Sequence, residues 1–282
     1  MQTDSHFTLK RPAQKIEKHR LGHRSPGRVA KIVWPLRFLY RSARIWSSNR
    51  RFRNWHGRNP TKKFRDFYAE IEDPRFLQGR RHPTLGSNLI GRTFGRSGLS
   101  GLHVLKERGL RPDDVCVDYG CGTLRVGIHL INYLKPGNYW GFDAENLLRE
   151  GAKLIGEHLI AEKAPHLRVI SPEAIAEVAR QKPRLLYSRG VLIHVHPTDL
   201  AEYFSNMLSI IDVGGRGYIT GKWSDGDTLQ FGGKSWAHST RALKKTASDF
   251  GGELNFLKTN DFWLPDFGRA IKHGRLEITK LA

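Results

Sequence analysis

Apolar positions fall into three regimes along the chain. Met1 to Gly27 is polar, with few aliphatic residues. Such a stretch buries too little surface to offset the entropy of ordering, which predicts disorder. In residues 28–47, Val29, Ile32, Val33, Leu36, Leu39, Tyr40, Ala43 and Trp46 recur at three- and four-residue spacing. Arg28, Lys31, Arg37, Arg41 and Arg44 mostly take the other side. That pattern predicts an amphipathic helix with a basic face, kinked or started late by Pro35. From about Leu110, short apolar runs alternate with helical periodicities. Strands are expected at 115–118, 139–142, 167–170, 184–187, 217–220, 254–257 and 275–279. Helices are expected at 124–134, 147–162, 172–180, 199–211 and 239–250. Two shorter helices, 64–78 and 99–108, flank a glycine-rich stretch at 79–101, which reads equally as a wall or lid over a ligand site or as a surface linker. Alternation of this kind predicts an α/β fold: a doubly wound, mostly parallel seven-stranded sheet with helices on both faces. The expected organisation is a basic, partly helical arm at 1–65, a lead-in at 66–110 and the sheet domain at 111–282.

Charge sharpens this division. The 282 residues carry a formal net charge of +20. Residues 1–65 hold 18 Lys and Arg against Asp4 and Glu17, leaving 29 basic and 25 acidic residues for the rest. The basic character therefore belongs to the arm. Three partners suit it: the protein's own body, an anionic membrane surface met through residues 28–47, or nucleic-acid phosphates. Its large apolar residues argue against pure phosphate tracking. No run of 18 apolar residues exists to span a membrane, and the apolar stretch comes too late for a secretory signal. Two cysteines exclude a disulfide scaffold and an all-cysteine zinc site. They fit a reducing compartment, the cytoplasm, with the inner face of a membrane as the peripheral alternative.

Chemistry concentrates in VCVDYGCGTLRVG, residues 115–127. An apolar strand ends in Asp118; Gly120 and Gly122 allow a tight turn and close approach of a ligand; a helix follows, its free N–H groups facing the same crevice. Twenty-one residues after Gly122, a second strand ends in Asp143, placed to hold two ribose hydroxyls. A nicotinamide fingerprint needs a third glycine where Arg125 stands, and Asp118 would face a pyrophosphate. A cationic ligand without phosphate suits the turn better.

At these residues the chain resembles the class I S-adenosylmethionine-dependent methyltransferases. Their first motif is an acid, one residue, then Gly-x-Gly, as in Asp118-Tyr119-Gly120-Cys121-Gly122; their second strand ends in an acid, as at Asp143. Gly214 to Ile219 is similar to their fifth-strand region, and the resemblance covers roughly residues 84–282. Thr123-Leu124-Arg125 departs from it, since many members have a small residue there. The resemblance implies a Rossmann-like methyltransferase fold and S-adenosylmethionine as cofactor. Asp118, Gly120, Cys121 and Gly122 would line its methionine moiety. Asp143 would hold the ribose, with Ala144 and Glu145 near the adenine. Ser171 would meet the adenine ring, and Ser188 to Gly190 would face the sulfonium and acceptor.

Methyl transfer to a hydroxyl needs a base, and His194 and His196 follow the fourth strand. Capping or packing is the competing role for both; a metal role lacks further ligands. Trp223, Trp236 and His238 read either as walls of an acceptor pocket or as buried scaffold. The sheet domain is nearly neutral, which favours a small-molecule or saccharide hydroxyl as acceptor. RNA held by the basic arm is the second reading, and a non-catalytic binding protein of the same fold the third.

Overall fold

The computed structural model describes residues 28–67, 70, 98–264 and 269–282. The expected disorder of 1–27, the end of the 64–78 helix and most of the 79–101 lid lie outside the described residues.

Five strands run parallel in the order β3 (His166–Val169), β2 (Tyr139–Asp143), β1 (Cys116–Tyr119), β4 (Leu185–Arg189), β5 (Arg216–Ser224). On the far side of β5 the sheet continues into antiparallel β9 (Arg269–Lys280) and then β8 (Gly252–Leu264). These seven strands match the expected sheet. A hairpin adds two more, β6 (Leu229–Gly232) and β7 (Ser235–Ser239), making nine among the described residues. β7 pairs with β5 only at Trp223 and Ser224, beyond the reach of β4. β8 and β9 are also far longer than the short strands their apolar runs predict.

Successive side chains of a strand face opposite layers. Val117 and Leu186 point to one layer, packing with Phe204 and Met207. Cys116 and Leu185 point to the other, with Leu105, Leu130 and Ile131. The helices supplying these layers are α3 (Leu99–Glu107), α4 (Gly127–Tyr133), α5 (Glu145–Ile155), α6 (Glu157–Lys163), α7 (Pro172–Ala179), α8 (Leu200–Ile210) and α9 (Thr240–Asp249). The single helix expected at 147–162 is two helices. Gly156 divides them, with φ of 84°, a conformation only glycine takes without strain.

The arm contributes α1 (Arg28–His56) and α2 (Phe64–Phe67). α1 runs through Pro35 and nine residues past the expected end. Of the apolar positions that the periodicity selects, the described side chains Leu39, Tyr40, Ala43 and Trp46 are exposed, Trp46 at 59%. Docking comes from further on. Trp55, Phe64 and Phe67 are buried with Trp236 of β7, and Phe52 packs beside them. Asn49 and Gln230 exchange two amide hydrogen bonds of 2.9 Å, and Ser48 Oγ donates to the Gly233 carbonyl at 2.6 Å. The arm is therefore bound to the protein's own body by an aromatic cluster with a polar rim.

Phe67 is fully buried, so Phe67→Ala should cost about 3–5 kcal/mol of packing, borne by the arm. The expected outcome is rapid tryptic cleavage in the 57–63 connection while the sheet domain stays resistant. Unchanged cleavage would mean the aromatic cluster does not hold the arm.

Candidate active site

The strand order reverses direction between β1 and β4, and at such a switch point the chain leaves a crevice beyond the carboxyl ends of the strands. A cavity of about 620 Å³ lies there. Its floor is the turn after β1. Gly120 has φ of 81° and Gly122 φ of 58°. A Cβ on Gly120 would come within 2.1 Å of Val191 Cγ2, so only glycine fits. Leu124 takes φ of 62°, unusual for a bulky residue, and is fully buried. This is the segment where the sequence departs from the small residue of the resembling family.

Asp143 ties the floor together. Its Oδ2 accepts the Gly122 N–H at 2.6 Å, and its Oδ1 accepts the Ala144 N–H at 2.7 Å. One carboxylate thus joins the end of β2 to the glycine turn after β1, and both its oxygens are aimed at backbone donors around the cavity. Leu147, Val169 and Ile170 add an apolar wall on that side.

On the other side runs the loop after β4. His194 Nδ1 lies 2.8 Å from the Lys234 carbonyl. A carbonyl only accepts, so the proton sits on Nδ1 and Nε2 is the basic nitrogen. Burial holds this histidine below its ordinary value of 6.5, outweighing the bond to Lys234, which favours the charged form. His238 braces the same loop: its Nε2 lies 3.3 Å from the Leu192 carbonyl and 3.1 Å from that of Val195. Burial lowers His238 to about 4, so it stays neutral as it does so. His196 also lines the cavity, but its ring is clamped. It stacks on Phe64 at 5.2 Å and meets Trp236 edge-on at 5.2 Å, with Nδ1 2.7 Å from Thr198 Oγ1.

Of the residues singled out from sequence, Gly120, Gly122, Asp143, Ala144, Glu145, His194 and His196 share this cavity wall. Four of the cofactor candidates do not line it. Asp118 is buried beneath the turn and accepts the Tyr139 hydroxyl at 3.0 Å. Cys121 is buried against Gly141. Ser171 caps α7 by accepting the Ala174 N–H at 3.2 Å. Ser188 is buried and accepts the Tyr203 hydroxyl at 2.8 Å. Trp223 and Trp236 belong to the buried scaffold, and His238 to the loop's support.

Arg125 of the 115–127 motif and Arg189 of the 188–190 segment also line the cavity, whereas Arg65, Asp66 and Glu202 carry no sequence motif. Arg125 and Arg189 face the floor, close enough that burial and the Arg189 charge both depress Arg125. Arg65 and Asp66 reach the cavity from α2. Arg65 Nη1 bonds Glu202 Oε1 at 2.6 Å, and Lys63 Nζ bonds its Oε2 at 2.5 Å. Burial works against the Glu202 charge, but those two cations outweigh it and hold its carboxyl below the usual range. Only tertiary docking brings these together.

No protein-family model and no curated protein matches the chain. Solved structures do. Magnesium protoporphyrin IX methyltransferase from Synechocystis PCC 6803, with bound SAH, superposes with a TM-score of 0.51 at 18% identity, over 77% of this chain and 98% of that one. The fold is that of the S-adenosylmethionine-dependent methyltransferases. Haemonchus contortus phosphoethanolamine N-methyltransferase 2, in complex with S-adenosyl-L-methionine, agrees: TM-score 0.53, 14% identity, 79% of this chain and 61% of that one. Within this methyltransferase fold the cavity occupies the crevice at the carboxyl ends of β1, β2 and β4.

Burial pushes Asp118 up to about 7, with the nearby Asp143 adding to it, while Tyr139 and the cations Arg189 and Arg125 pull down. An unfolded aspartate titrates near 3.8. The unfolded chain therefore loses this proton first, and Asp118 costs stability as pH rises from about 4 to about 7. Asp118→Asn should raise Tm, more at pH 8 than at pH 5. An equal or reversed effect at the two pH values would show that Asp118 is charged in the folded protein.

Proposed function

We propose that the protein transfers a methyl group from S-adenosylmethionine to a hydroxyl of a small molecule. The observation that supports this best is the pairing, across one cavity, of the Asp143-tied glycine turn with a histidine whose Nε2 is held basic. Bound S-adenosylmethionine supplies an electrophilic methyl group and carries an ammonium and a sulfonium. The cavity suits such a cation: among the described residues five acids line it against three arginines. The Asp143 carboxylate at the end of β2 is placed to accept from ribose hydroxyls, and Leu147, Val169 and Ile170 offer an apolar face to adenine. Gly190, with φ of 75°, leaves open space where a side chain would intrude: no atom lies within 4 Å of its built Cβ. Arg125 and Arg189 suit a carboxylate.

The remaining work is alignment and proton removal. His194 takes the acceptor proton at Nε2, its Nδ1 proton fixed by Lys234. α2 brings Arg65 and Asp66 to the cavity wall, and a volume of about 620 Å³ suits a small molecule better than a polymer. The cations nearest the cavity on the arm, Lys63 and Arg65, are engaged with Glu202, which weakens the reading of the arm as an RNA clamp. A saccharide is one such hydroxyl acceptor.

Transfer of labelled methyl from S-adenosylmethionine into fractionated cell extract tests the reading. Label should enter a small-molecule fraction, and His194→Gln should lower the rate about 10²–10⁴-fold while cofactor binding stays the same. Label in RNA alone, or in nothing, would overturn the reading. With the native histidine, the rate should fall on acidification with an apparent pKa below 6.5, because the active form is the neutral ring. An acid limb at or above 6.5 would remove His194 as the base.

A further inference from the structure

α1 carries two stripes. Ser48, Phe52 and Trp55 face the β6–β7 hairpin and α2. A helix turns about 100° per residue, so the stripe half a turn away runs through Leu39, Ala43, Trp46, Arg50 and Arg53. Each of these is exposed, as is Tyr40 beside them. Leu39, Tyr40 and Trp46 keep 62%, 66% and 59% of their surface, more than any other large apolar side chain among the described residues. Exposed apolar side chains scattered singly need no explanation, but three gathered between 39 and 46 do.

The same helix is basic throughout. Its 29 residues hold eight Lys and Arg and no Asp or Glu, and no acid stands between Glu17 and Asp66. The charge is set among the aromatics. The Arg50 guanidinium lies 5.4 Å from the Trp46 ring centroid, and the Arg44 guanidinium 5.8 Å from that of Tyr40. Helices that lie in a membrane interface have this composition, with rings at the acyl boundary and guanidinium groups reaching the lipid phosphates. Crossing is a different matter: among the described residues no helix is long and apolar enough to span a bilayer.

We propose that this face of α1 rests on an anionic lipid surface. Burial of Leu39 and Trp46 supplies apolar area, and the arginines of the stripe meet the lipid phosphates. The apolar part is confined to 39–46, and Arg50 and Arg53 continue the stripe, so the contact is shallow and needs the lipid charge. The opposite stripe, docked on the hairpin, keeps α1 folded before it meets the lipid, which spares the contact the entropy of ordering. A nucleic acid fits less well. Phosphate contacts do not call for Leu39, and a guanidinium already covers one face of each ring on which a base would stack. A second copy of the chain fits less well still, because two acid-free basic helices repel.

Co-sedimentation of the full chain with vesicles tests the proposal. The chain should pellet with vesicles of equimolar phosphatidylglycerol and phosphatidylcholine, less so as salt is raised, and not with phosphatidylcholine alone. Leu39→Gln with Trp46→Gln should weaken the partition roughly tenfold or more by removing apolar area. Arg50→Gln with Arg53→Gln should weaken it roughly tenfold by removing charge. All of these side chains are exposed, so the fold does not depend on them. Val213→Ser, at an exposed apolar position of the sheet domain, should leave the partition unchanged. No pelleting with the mixed vesicles, equal pelleting with phosphatidylcholine alone, a native partition in either double variant, or the same loss in Val213→Ser would overturn it. So would binding of an RNA duplex by a chain that leaves the mixed vesicles unbound.

Discussion

The Asp143 carboxylate is the junction on which the crevice depends. It takes the Gly122 and Ala144 N–H groups at 2.6 and 2.7 Å. Without it, two backbone donors at the mouth of the sheet would lose their partner, and the glycine turn would lose its tie to β2. Hydrogen bonds to a carboxylate are stronger than neutral ones, so a short floor can be rigid although Gly120 and Gly122 are intrinsically permissive. The adjacent Leu124, at positive φ yet fully buried, shows how tightly the turn is constrained.

Around that floor, parts distant in sequence complete the cavity. The loop bearing His194 is braced from beneath by His238 on β7, and its base is oriented by the Lys234 carbonyl in the same hairpin. The hairpin also seats the arm, through Trp236 against Phe64 at 4.9 Å and through Gln230 against Asn49. This one hairpin beyond the end of β5 thus joins two things: the loop that bears His194 and the anchoring of α1. Part of the arm's charge, that of Lys63 and Arg65, is engaged with Glu202 of the same chain.

Much of the sheet was legible because its signals are local. Strand ends, glycine turns and the spacing from Gly122 to Asp143 follow from neighbouring residues, and the observed strands begin within a residue or so of the expected ones through β5. The hairpin also has a readable trace: Leu229 and Phe231 alternate, Gly232-Gly233 follows, then Trp236 and His238 alternate, a hairpin pattern. Other features had no local trace. Arg65 meets Glu202 across 137 positions. Asp118, Cys121, Ser171 and Ser188 carry the right types at strand ends or turns, but strand pleat and helix capping turn them inward, and sequence spacing alone does not say which way a side chain points. The docking of the arm rests on aromatic residues at 52–67, whose partner Trp236 lies about 170 positions away and leaves no local trace.

The central claim is that the Asp143-tied crevice binds the methyl donor. Calorimetric titration of the full chain with S-adenosylhomocysteine, repeated on Asp143→Ala, tests it most directly. The account predicts one-to-one saturable binding to the native chain, weakened roughly tenfold or more by the substitution. No binding to the native chain, or equal affinity in both, would contradict it.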